Sequence, residues 1–78
     1  MFIHLGENIM IRLKEIIAII SYDLLAESEV LKEFVEHNRK KHKIVEISAG
    51  TTKSIVVTKS AVYLSPLGAG TLKRRSHL

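Results

Sequence analysis

The sequence predicts an α+β fold: a small, mainly antiparallel β-sheet of five to six short strands, with one amphipathic helix. Two observations lead there. β-branched residues gather in short runs bounded by turn formers, and only the stretch after Ser28 carries sustained helical spacing of apolar side chains. The organising stretch is 43–67, where the runs 44–47, 55–58 and 62–64 read as a three-stranded meander. Its first turn, Ala49-Gly50-Thr51-Thr52-Lys53, is the candidate functional loop, because glycine permits positive φ and polar residues follow it.

Taken in order, residues 2–5 form a first strand, closed by the turn composition Gly6-Glu7-Asn8. Alternation over 9–14 then predicts a strand with Ile9, Ile11 and Leu13 inward and Arg12 and Lys14 outward. Residues 16–20, four of them isoleucine, favour a strand covered on both faces, with helix as the competing reading. Residues 21–27 connect to a helix whose N-cap is Ser28, with Glu29 at the positive end of its dipole. Val30, Leu31, Phe34 and Val35 make one apolar stripe, and Lys40, Lys41 and His42 sit at the negative end. One domain spans 1–67, and residues 68–78 read as a flexible basic tail.

One helix covers one face of such a sheet and leaves the other wet, so the burial pattern predicts association between copies, with closed symmetry as its usual form. The chain of 78 residues is small for a self-sufficient core, since this size buries only about 60% of its unfolded surface. It lacks cysteine, which excludes a disulfide framework and a thiolate metal site. Its longest apolar run, 16–20, is far below the roughly 20 residues a membrane helix needs, which points to a soluble, cytoplasmic protein without membrane contact.

The net charge of +4 is unevenly spread. Residues 1–36 hold three bases and seven acids, whereas residues 37–78 hold nine bases and one acid, Glu46. A basic half of this kind suits a polyanionic partner, or an acidic half of another subunit. Catalysis finds no foothold: His4, His37, His42 and His77 are scattered, Gly68-Ala69-Gly70 lacks the G-K-[ST] of a phosphate loop, and no base accompanies a Ser or Thr nucleophile. The expectation is a non-enzyme with no cofactor and no metal. With four aromatics, stacking on single strands is poorly provided for, and duplex backbone contact is the better fit.

The segments FIHLGENIMIRLKEIIAIISYD, VLKEFVEHNRKKHKIVEISAGTTKSIVVT and VYLSP closely resemble the RemA/RemB-like extracellular matrix regulators of Firmicutes. The resemblance runs without a gap from Phe2 to Pro66. It implies a small β-rich fold with one helix that assembles into rings, binds promoter DNA and activates biofilm matrix genes. In the RemA branch an arginine before the long apolar strand and an arginine pair after the meander glycine are associated with DNA contact. These positions correspond here to Lys14 and to Thr51 and Thr52, with Lys53 the nearest remaining cation. The expectation is a ring-forming transcriptional regulator contacting duplex DNA through Lys14, Lys53, Lys59, Thr51 and Thr52. The alternative is an oligomeric scaffold that acts through a protein partner.

Overall fold

A computed structural model describes residues 1–76 and has three layers. Strands β1 (Phe2–Gly6) and β2 (Ile9–Arg12) form an antiparallel hairpin, and its turn uses positive φ at Gly6, Glu7 and Asn8. Leu13–Glu15 then tightens into a 3-10 turn rather than extending the strand to Lys14. The second sheet contains β3 (Ile16–Ser21), β4 (Ile44–Glu46), β5 (Ser54–Thr58) and β6 (Val62–Ser65), in the order β3-β5-β6-β4. Helix α1 (Glu29–Lys40) follows a 3-10 turn at Tyr22–Ala26, and helix α2 (Ala69–Ser76) closes the described chain.

The expected meander does not form. β5 and β6 are a hairpin, but β4 lies beyond β6 and runs parallel to it, Ile44 opposite Val62 and Glu46 opposite Leu64. The β5–β6 turn is closed by Thr58, whose Oγ1 donates to the Ala61 carbonyl at 2.7 Å and accepts from the Ala61 N–H at 3.1 Å. The segment between β4 and β5 must therefore arch over the end of β6. It is held there at both feet, by Ile47 N–H to Leu64 O at 3.1 Å and Lys53 N–H to Ser65 O at 2.8 Å.

Strand β5 is central, and alternation sends its side chains into two cores. Val56 joins Ile3, Leu5, Ile11 and Leu72 between the sheet and the hairpin, while Ile55 joins Val35, Val62 and Leu64 beneath α1. The face that one helix could not cover is thus covered by the chain's own β1–β2 hairpin and α2. β3, expected to be covered on both faces, is instead an edge strand whose Ile17 is 64% exposed.

Two buried hydroxyls seat the layers on one another. Ser65 Oγ donates to the Leu5 carbonyl at 2.7 Å and accepts from the Leu67 N–H at 3.1 Å. Its cross-strand partner Ser54 donates to the Leu67 carbonyl at 2.7 Å. Gly6 then lies so close to Pro66 that an added Cβ would stand 2.9 Å from the proline Cγ, and its φ of 112° also demands glycine.

Helix α1 begins as expected. Ser28 Oγ accepts from the Leu31 N–H at 3.1 Å, satisfying one of the donors that a helix start leaves unpaired. Its surface ion pairs are Lys32–Glu29 and Arg39–Glu36, at 3.3 and 3.4 Å. Both are exposed and contribute little.

The segment read as a flexible tail differs most. Ala69–Ser76 is helical, and Leu72 is fully buried against β1 and β3 layers. Its single anchor explains the misreading, since glycines precede it and three cations follow. His77, the fourth histidine, lies outside the described residues. Leu72→Ala should lower unfolding free energy by about 2–5 kcal/mol, the range for emptying a buried leucine site. Urea unfolding followed by circular dichroism checks this, and a flexible tail would give no change.

Candidate nucleic-acid interface

The residues assigned to DNA contact come from three loops, and strand register decides where those loops lie. Ile16 stands opposite Thr58, so Lys14 and Lys59 emerge at one end of the sheet. Ser21 stands opposite Ser54, so Thr51, Thr52 and Lys53 emerge at the other. Five residues of β5 separate the ends by about 14 Å at ~3.4 Å per residue. The structure therefore brings Lys14 and Lys59 to a common end and does not unite them with the Gly50 loop.

Within that loop the backbone is well tied. Gly50 has φ 77°, and Thr51 turns back on Ser48, its Oγ1 lying 3.1 Å from the Ser48 carbonyl and 2.9 Å from Ser48 Oγ. Both foldings leave Thr51 exposed but with its hydroxyl already engaged. Thr52 Oγ1 is buried and has no hydrogen-bond partner among the described residues. Lys53 is held twice through its backbone, its carbonyl accepting from the Tyr22 N–H at 3.0 Å, so its exposed side chain leaves from a fixed point. The loop thus offers one cation on a rigid base.

The opposite end is richer in positive charge than the five assigned residues suggest. The Lys43 carbonyl accepts from the Val62 N–H at 2.8 Å, which places Lys43 beside the hairpin that carries Lys59. The approach to it is a tight turn, with His42 at φ 58° and the Lys43 N–H bonded to the Asn38 carbonyl at 2.9 Å. These bonds occupy carbonyls at the negative end of α1, so the cations of residues 39–43 face outward from a capped terminus. Arg12 was also missed as a partner of Lys14. Together with Met1, Phe2 and Leu13 the two cations line an open hollow of about 520 Å³. The register Phe2 opposite Arg12 brings a cation and an aromatic ring together on one face, a pairing that alternation over 9–14 already allowed.

Among the described residues, no group of three or more His, Cys, Asp or Glu is placed to hold a metal ion. No helix of the described residues is long and apolar enough to cross a membrane.

The profile of the family described as "RemA-like: Extracellular matrix regulatory protein A-like" matches residues 2–75, which takes in both sheets and nearly all of α2. The chain belongs to the RemA-like family. It is also 42% identical over 77 residues to the extracellular matrix regulatory protein B of Bacillus subtilis (strain 168), covering 97% of this chain and 90% of that protein. The family match extends past Pro66, as expected if α2 is part of the fold rather than an appendage.

Gly50→Ala should be tolerated sterically, since nothing lies within 4 Å of the added methyl, but it forces an L-residue to hold φ 77°. The expected cost is about 1–2 kcal/mol of stability with the fold retained. Urea unfolding measures the loss, and an unchanged midpoint would mean the loop relaxes without cost.

Proposed function

We propose that this chain is a regulator of extracellular matrix genes that acts as a homo-oligomer in the cytoplasm and binds duplex DNA mainly through backbone contacts. The observation that carries the regulatory part is the 42% identity, over nearly the full length of both chains, to a protein named for extracellular matrix regulation. The DNA part rests on exposed cations on well-fixed backbone: Lys14 and Lys59 at one end of the sheet, Lys53 at the other.

The two ends define what contact is available. A single copy presents Lys14 and Lys59, with Lys43 near them, to one stretch of backbone, and Lys53 points elsewhere. Repetition of the same end around an oligomer multiplies individually weak phosphate contacts by avidity. Thr51 adds at most a hydrogen bond to a phosphate oxygen and must first give up Ser48 to do so, while the Thr52 hydroxyl is buried. The Gly50 loop is then a minor contributor beside the Lys14/Lys59 end.

A second reading, an oligomeric scaffold acting through a protein partner, is favoured by one observation. The loop where the related DNA binder carries an arginine pair has only Lys53 as a cation.

Mobility-shift titration on a matrix-gene promoter separates the readings. The first predicts a shift whose affinity falls at least tenfold between 50 and 200 mM salt, given about three or more phosphate contacts across the oligomer. Lys14→Ala with Lys59→Ala should weaken it more than Lys53→Ala does. An intact oligomer that gives no shift at low salt supports the scaffold instead.

A further inference from the structure

Among the described residues, exposed large apolar side chains gather in two places after the chain has covered both faces of its sheet, and the places differ in charge. The first is a groove of about 670 Å³ between α1 and the free edge strand β3, with Ile20, Leu24, Val30, Leu31, Phe34 and Val57 as its walls. Val30 is 78% exposed there, on the helical stripe that was expected to face the core. Only Val35 of that stripe is fully buried. The surrounding chain is acidic: residues 21–36 contain five acids (Asp23, Glu27, Glu29, Glu33, Glu36) and one base, Lys32, which already pairs with Glu29.

The second place is the outer face of the β1–β2 hairpin. Ile3, Leu5 and Ile11 point inward, so Phe2, His4, Met10 and Arg12 form the outward set, with Phe2 opposite Arg12 and His4 opposite Met10. Phe2 is 57% exposed and Met10 49%. This face has a cation and no acid among its four residues; the nearest acids are Glu7 in the hairpin turn and Glu15 beyond Lys14.

We infer that these two faces are the halves of one interface between copies, the Phe2–Met10 face of one chain seating in the α1–β3 groove of the next. The inference rests on the oligomeric part of the proposed function and specifies its contact. Three physical points support it. Both patches are apolar and too contiguous for scattered surface exposure. Their charges are complementary, Arg12 against the acidic margin of the groove, whereas groove against groove would set acids against acids. They also sit on opposite layers, the groove on the α1 side of the sheet and the hairpin on the other. A contact between unlike, opposed patches is head-to-tail, and repeated head-to-tail contacts close into a ring or run on as a filament. The free edge of β3, whose Ile20 lines the groove, is covered by the same contact, which removes a site of uncontrolled strand pairing.

Val30→Glu and Met10→Glu each spoil one half while touching little inside the chain, and native mass spectrometry reads the result. The wild-type chain is expected as an oligomer larger than a dimer, and each variant alone as an 8.8 kDa monomer with unchanged circular dichroism. Mixed in equal amounts, the variants should form a dimer and nothing larger, because each still carries one good face. Leu24→Glu, on another groove wall, should replace Val30→Glu in the mixture with the same outcome, and serves if that variant fails to fold. A mixture that stays monomeric overturns the pairing, as does either variant retaining the wild-type mass. A monomeric wild-type chain overturns the oligomeric reading as well, whereas an oligomer indifferent to Val30→Glu and Leu24→Glu removes only this interface.

Discussion

The rest of the structure depends on covering both faces of β5. This strand is central in its sheet, and Ile55 and Val56 are each completely buried, on opposite faces. A lone amphipathic helix supplies one cover. The second has to be built from the two ends of the chain, β1–β2 from the beginning and α2 from the end, meeting over Val56. Ser65 makes that meeting specific, since its hydroxyl ties Leu5 and Leu67 to the same strand. Everything peripheral follows from this: the sharp glycine turn against Pro66, the burial of Leu72, and the exposure of whatever the two covers fail to reach.

What they fail to reach is not distributed at random. α1 leans toward β4 and the Tyr22–Ala26 turn, leaving the β3 side of the sheet open. The hairpin, being only two strands thick, has an outer face with no further layer. Among the described residues no further element covers either. The association between copies proposed above would follow from how the core was closed, rather than from an unburied sheet face as the sequence pattern suggested. The same closure sets the display of charge. Lys14, Lys43 and Lys59 share an end because β3 and β4 start there and the β5–β6 hairpin turns there, and the arch over β6 carries Lys53 to the opposite end.

Much of this was legible residue by residue. The cap at Ser28, the strand at 16–20 and the β5–β6 hairpin follow from local chemistry, because side-chain hydroxyls, β-branching and turn residues act over a few positions. The placement of β4 was not legible. Its alternation satisfies pairing with either neighbour, and the choice is made by Lys43, Ile47 and Lys53 bonding to β6 from outside it. Nor was α2, whose composition is that of a linker apart from Leu72. For the candidate site, residue types could be read from the sequence, and the family likeness singled out the loops that carry them. Their separation could not be, since it depends on the register of β3 against β5 and on bonds that span as many as 60 residues.

The central claim is that a single copy leaves apolar surface which another copy must cover. Small-angle X-ray scattering on the free protein tests it most directly, because one chain has a Cα radius of gyration of 11.6 Å and a mass of 8.8 kDa. The account predicts a mass that is a fixed multiple of the single chain, unchanged over tenfold dilution, and a radius well above the single-chain value. A mass of one chain with a radius close to 11.6 Å at every concentration would contradict it.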